Sequence, residues 1–323
     1  MKKLFVVFRD CFVAFLFLVT LNFLLPRLLP GDPIASLAGE QALFDMTPQI
    51  RQELAMEYGL NEPIHMQFFK YIGNLIELDF GYSYYYKANV SEIIISYIPW
   101  TFILVFTSMI IAIVIGYHVG IHSGYNAGKI IDKLLLSVMI FISGFPQFFI
   151  GMIFLIFFSV ELNWLPIGGA ETSCSGLQGI ERLKDILIHM VLPVMTLAIS
   201  KIPSIYLLVR NTSIKTRERQ FIRTGLAKGL SDKTIKNKYV GRNSFIPLLT
   251  MSAIDIGRMF VGALLVEVVF SYPGLGTLIY ESIKVRDYPV LQGVFFIVSI
   301  MVLVFNGISE LINYKYGGVK NET

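Results

Sequence analysis

Residues 187–242 read LIHMVLPVMTLAISKIPSIYLLVRNTSIKTRERQFIRTGLAKGLSDKTIKNKYVGR, an apolar run that gives way to a basic one at Arg210. The apolar part, 187–209, matches the roughly 20 residues needed to cross a hydrocarbon core. From Arg210 to Arg242 there are ten Lys/Arg and two Asp/Glu. A span that opens into such a loop places the loop in the cytoplasm. The junction therefore predicts an all-α polytopic membrane protein. Further apolar segments at 11–29, 99–119, 134–159, 245–269 and 290–312 bring the expectation to six transmembrane helices.

Composition points the same way. Apolar residues make up 54% of the 323 residues and charged ones 15%, against about 25% charge in a soluble domain. A soluble enzyme is excluded on that ground, and the 44 aromatic residues exclude a disordered chain. Two cysteines cannot build a disulfide scaffold. Between Leu29 and Ile98 the balance reverses, with three Lys/Arg and nine Asp/Glu, so this segment is expected outside. Six spans then return both termini to the cytoplasm. The net charge of +4 is concentrated in one loop, where a basic tract serves topology, anionic lipid or a partner.

The expected organisation is an N-terminal helix over 1–29, an external helical segment over 30–98, a transmembrane core over 99–312 with a cytoplasmic loop at 210–247, and a tail over 313–323. The first span, flanked by Lys2, Lys3 and Arg9, reads as retained rather than as a cleaved signal, because no small-residue cleavage site follows it. Pro99 and Trp100 suit a helix start at the interface. Pro146, after Gly144, should kink the third span, and Pro193 and Pro203 should bend the fourth.

Outside the membrane, Thr47 and Pro48 predict a helix start, with Ile50, Leu54 and Tyr58 forming a stripe that ends at Gly59. A second helix is expected from Pro63 to Leu78, with Ile64, Phe68, Ile72 and Leu75 on one side. In the basic loop, Arg210 to Lys228 reads as a polar continuation of the fourth span, broken by Gly229. Ser231 then caps a short surface helix that projects Ile235 and Tyr239, before Asn243 and Pro247 lead back to the membrane. That exposed apolar pair, among charges, predicts a docking knob for another protein. Near the last outer loop, Pro273, Gly274 and Gly276 read as structural turns.

Enzymatic chemistry has little support. No phosphate-binding GxxxxGK[ST] loop and no HExxH occur. His118 and His122 are four apart but read as interfacial residues rather than metal ligands. Cys11 and Cys174 are expected on different elements, without a disulfide. Asn89-Val90-Ser91 forms a glycosylation triplet that matters only on a eukaryotic secretory route. Within the fifth span, Asp255, Arg258 and Glu267 are candidates for a translocation path or gate. Asp255 and Arg258, three apart, are close enough to pair, and Glu267, near the outer end, can reach water. No nucleophile with a paired base is present, so no catalytic residue is assigned.

The stretch Phe221-Ile222-Arg223-Thr224-Gly225-Leu226-Ala227-Lys228-Gly229-Leu230-Ser231 resembles the coupling-loop signature of inner-membrane permeases from binding-protein-dependent, ATP-driven importers. More narrowly it is similar to the dipeptide/oligopeptide/nickel permease group, and there to the first of the two paired permeases. Arg242-Asn243-Ser244-Phe245-Ile246-Pro247, the segment Gly262–Phe270, Tyr272-Pro273-Gly274-Leu275-Gly276, Arg286–Gly293, Leu29–Pro33 and Tyr58–Pro63 carry the same likeness. Gly225 and Leu226 stand where the group usually has alanine or Arg-Ala, and Gln220 where an acidic residue is frequent.

The resemblance implies the transmembrane subunit of a type I importer, with an extracellular helical insertion and a cytoplasmic coupling helix, in a prokaryotic inner membrane. It implies a second homologous permease, two ATP-binding subunits, an external solute-binding protein and membrane lipids as partners, with no nucleic acid. ATP and Mg would act in the ATPase subunits, and no cofactor is expected on this chain. ATPase coupling falls to Arg223, Ala227, Lys228, Gly229, Leu230, Ser231, Ile235, Tyr239, Asn243 and Pro247, with the 231–240 helix as transmitter. The implied substrate is a di- or oligopeptide. The alternatives are nickel or a metal–chelator complex, a stand-alone polytopic carrier, and a membrane enzyme.

Overall fold

A computed structural model describes residues 2–28, 62–173 and 176–317, with isolated positions between 47 and 56. The helix expected beyond Thr47, the Leu29–Pro33 motif, most of Tyr58–Pro63, Cys174 and the end of the tail lie outside the described residues. The helices are α1 (Lys2–Leu28), α2 (Ile64–Ile76), α3 (Val90–Tyr125), α4 (Ile130–Ser143), α5 (Gln147–Glu161), α6 (Gly179–Arg217), α7 (Gln220–Ala227), α8 (Asp232–Val269), α9 (Leu275–Val285) and α10 (Tyr288–Gly317). A two-residue antiparallel hairpin pairs β1 (Tyr82–Ser83) with β2 (Ala88–Asn89), Tyr82 opposite Asn89.

Among the described residues α3, α6, α8 and α10 are long and apolar enough to cross a membrane, and α4 with α5 makes a fifth span if the bent pair is counted as one. The chain is an all-α, multi-pass membrane protein. The expected first span falls in α1, where Phe12–Leu24 is a shorter apolar helix.

Two spans differ from the sequence expectation in shape. α3 starts at Val90, so Pro99 lies inside the helix rather than in its first turn. The hairpin and the cap position at Asn89 set that start, and Glu92 in the first turn favours it electrostatically. The third span is broken rather than kinked. α4 and α5 meet at 96° across Gly144-Phe145-Pro146, with Pro146 in extended backbone ahead of α5. Proline lacks the N–H that would continue the ladder and pushes its predecessor out of the helical region. By contrast, α6 continues through Pro193 and Pro203 as one helix.

The core forms where α3 crosses α6. Lipid is as apolar as leucine, so helices there associate through close packing rather than hydrophobic burial. Gly116, Gly120 and Gly124, four apart, present bare backbone to Ile205, Val209 and Ser213, also four apart. A Cβ added at the three glycines would lie 2.6, 2.8 and 2.6 Å from those side chains. Leu104, Val105, Met109, Leu197, Tyr206, Met259 and Phe260 complete this core with α8.

The short helix α9 is wedged between α3 and α10. Leu275, Leu278 and Ile279 pack with Val90, Ile94, Val290 and Val294. Alongside, Leu75 of α2 meets Val19 of α1 and Phe296 of α10. Phe68 and Ile72 share that contact, while Ile64 is exposed despite its place in the predicted stripe.

Candidate functional site

Two regions gather the residues singled out from the sequence. The first is the connection between α6 and α8. α6 does not run on to Lys228. It stops at Glu218, Arg219 turns extended, and α7 forms a separate two-turn helix. Its buried face is Ile222 and Gly225, three apart, and Phe221, Arg223, Thr224, Leu226, Ala227 and Lys228 are exposed. Gly229 closes α7 at φ +75, the left-handed region in which glycine has no Cβ penalty. The Gly229 N–H donates to Leu226 O at 2.9 Å and the Leu230 N–H to Gly225 O at 3.2 Å, so the orphan carbonyls of the helix end are satisfied. Ser231 caps α8 as expected, its hydroxyl accepting from the Thr234 N–H at 3.4 Å.

The predicted knob is corrected here. Ile235 is 1% exposed, enclosed with Ile222 and Val240 by Tyr125, Leu230 and Tyr239. The expected free-standing helix after Ser231 is instead the first part of α8, continuous with the fifth span through a π-helical stretch, Ile235–Gly241. Asn243 and Pro247 therefore lie inside the helix, and the Asn243 amide donates to Tyr239 O at 2.7 Å. The apolar groups left exposed are Phe221 (40%) and Leu226 (52%) of α7, which the site assignment above left out. The three-residue spacing of Ile222 and Gly225 was the available signal.

This platform is tied to the membrane core. The Tyr125 hydroxyl donates to Asp232 at 2.8 Å, Arg217 donates to Tyr125 O at 2.5 Å and lies over its ring, and Lys236 meets His122 Nδ1 at 3.1 Å. Above it Arg210 grips Asp132 through two hydrogen bonds, of 2.6 and 2.8 Å. The Ser123 hydroxyl donates to the same carboxylate at 2.5 Å and the Gly128 N–H at 2.9 Å. Bidentate pairing fixes direction as well as distance, so the α3–α4 turn and the base of α6 are locked together just ahead of α7.

The second region lies in the spans. Asp255 does not pair with Arg258. Its partner is Lys201 of α6, at 3.3 Å, and Arg258 points out from α8, exposed and without an ion pair among the described residues. Glu267 does not reach water. It is fully buried, accepting from Thr101 Oγ1 at 2.7 Å and from the Gly276 N–H at 2.6 Å, while the Leu275 N–H donates to Thr101 Oγ1 at 2.8 Å. This clasp explains the turn at Pro273. A Cβ on Gly274 would lie 2.3 Å from the Glu267 carboxyl carbon, and one on Gly276 2.4 Å from Leu264 Cα. Both glycines are required by close approach to α8. Among the described residues no three His, Cys, Asp or Glu side chains gather as a metal site.

A family model described as "Binding-protein-dependent transport system inner membrane component" matches residues 112–315, which span α4 to α9 entirely, most of α10 and the last part of α3. Among characterised proteins, the chain is 33% identical over 297 residues to the glutathione transport system permease protein GsiC of Salmonella typhimurium (strain LT2), covering 92% of this chain and 91% of the relative. The GsiC protein of Escherichia coli (strain K12) is 33% identical over 298 residues, covering 92% of both.

Proposed function

The chain belongs to the family of binding-protein-dependent transport system inner membrane components, and from that premise we propose that it forms half of a translocation path for di- or oligopeptides. Membership makes it a non-catalytic transport subunit of an ATP-driven importer with a peptide-like substrate. In this reading a second homologous permease completes the path, two ATPase subunits bind ATP and Mg, and an external binding protein delivers the substrate. The chain crosses the inner membrane six times, α1 and the α4–α5 pair each counting as one span, with both termini in the cytoplasm. Glutathione, named for the relatives, is the leading specific candidate among peptide-like substrates.

The observation that carries the reading is α7. It is a short helix outside the membrane core, fixed beneath by Ile222 and Ile235, with two large apolar side chains exposed among cations. An ATPase that seats Phe221 and Leu226 moves α7, and the packed Ile222–Ile235–Val240 nest passes the displacement to α8. Lys228, Gly229, Leu230 and Ser231 set the turn between the two helices. Arg223 and Ala227 share the exposed side. In the path, Asp255 and Arg258 remain the charged candidates, while the burial of Glu267 supports a holding role at the outer end.

Reconstitution tests this assignment. Uptake of a labelled peptide into vesicles should require ATP, both ATPases and the binding protein. Flux through the purified chain alone would make it a carrier and refute the proposal.

A further inference from the structure

Most spans keep their middles free of charge. Between Lys133 and Glu161, between Glu92 and Lys129, and between Asp287 and Glu310 there is no Asp, Glu, Lys or Arg. The exceptions lie on two neighbouring helices: Lys201 in α6, and Asp255 and Arg258 near the middle of α8. A charge at that depth faces a partner or a water-filled cavity rather than lipid.

Their arrangement is unequal. Asp255 is nearly enclosed, its side chain 3% exposed, and Lys201 is 15% exposed. They touch through one oxygen only, at 3.3 Å, longer than the 2.7–2.9 Å of a tight charge-assisted bond. The other carboxylate oxygen, Oδ2, is buried with no donor. Lys201 therefore spends one of its three donors on Asp255. Arg258 lies three residues beyond Asp255, about 4.5 Å along the axis and about 60° around it. It is exposed, and none of its five donors meets an acceptor among the described residues. Ser204, one turn from Lys201, is exposed on the same stretch of α6. The cluster carries two cations and one anion, and the anion is the group shut away from the surface.

We propose that Lys201 and Arg258, with Asp255 tethering Lys201, form a cationic station halfway along the path that receives a carboxylate of the substrate. This rests on the peptide-permease reading and adds the chemical class that the path selects. Arg258 offers a planar fork suited to a carboxylate. Lys201, loosely tied, turns two free donors toward the same anion. Asp255 is a positioning residue. It holds Lys201 in place while contributing no exposed negative charge that would repel the substrate. The excess positive charge favours an anionic group over its neutral amide.

The test uses the full complex, with both permeases, ATPases and binding protein, in ATP-loaded vesicles. Labelled trialanine and trialanine amide are the probes. The ratio of their uptake rates is compared between wild type and variants with one binding protein, so selection by that protein cancels. Arg258→Gln should lower the acid-to-amide ratio about tenfold, the scale of one charge-assisted hydrogen bond, and Arg258→Lys should restore part of it. Lys201→Met with Asp255→Asn, which leaves no lone buried charge, should lower it similarly. Co-purification of the ATPases checks assembly of each variant. Uptake of both probes at an unchanged ratio in both variants would overturn the station alone. If trialanine is not a substrate, the ratio is read with labelled glutathione and its glycyl amide, and uptake of none of these probes by the wild-type complex would remove the peptide reading and the station with it.

Discussion

On the proposed docking face, Ile235 and Leu226 separate a residue that builds the packed nest from one that would meet an ATPase. Ile235 is 1% exposed, packed against Ile222 and Val240. Truncation to alanine removes three carbons from an enclosed site, which costs about 2–5 kcal/mol in comparable cores. Leu226 is 52% exposed. About half its side chain is already out of water, so Leu226→Asp should cost the chain about 1 kcal/mol, less than the truncation of Ile235. Docking, however, would bury the remaining half, worth about 1 kcal/mol, and an aspartate there adds an unpaired charge at a dry contact. The expected outcome is a crossover. Ile235→Ala lowers the thermal midpoint of the purified chain in detergent. Leu226→Asp shifts that midpoint less and abolishes ATP-driven uptake, with the ATPase subunits washing off during purification. The assays are a thermal melt of the chain, co-purification of the ATPases, and uptake in vesicles. Wild-type uptake by Leu226→Asp with its ATPases still bound would refute the docking face. An unshifted melt for Ile235→Ala would refute the nest beneath it.

The remaining expectations concern the scaffold. Thr101→Val removes the hydroxyl that serves both Glu267 and the Leu275 N–H, leaving two buried polar groups short of a partner. A loss of about 2–4 kcal/mol follows, and Thr101→Ser, which keeps the hydroxyl, should retain most of the stability in the same melt. Gly120→Val places a Cβ 2.8 Å from Val209 Cβ and 3.0 Å from Tyr206 O. The α3–α6 contact must open, at about 1–3 kcal/mol, read as a lower melting midpoint and faster proteolysis. Gly229→Val forces a branched residue to φ +75, costing at least about 1–2 kcal/mol. It should slacken α7 against α8, measured as ATP hydrolysis that persists while uptake falls.

Much of this protein is local enough to be legible residue by residue. Span length, loop charge, the stop at Gly229, the cap at Ser231 and the turn at Pro273 depend on hydropathy, helix ends and backbone freedom, which a short window contains. The GxxxGxxxG run in α3 was equally available. What the window lacked was direction. Ile235 looked like a projecting knob because its own helix has a polar side, and only Ile222 and Tyr125, more than ten residues away in either case, turn that position inward.

Asp255 was matched with Arg258 because a three-residue spacing allows it, yet its partner stands across the helix interface at Lys201. Glu267 looked free to reach water until Thr101 and Gly276 closed around it. The sequence alone determined that this chain crosses a membrane and gathers its excess positive charge in one loop, since a bilayer reads average polarity along a segment. Which charges remain open and which are tied away was decided by the tertiary structure, because an ion pair depends on distances between helices that no spacing along one of them contains.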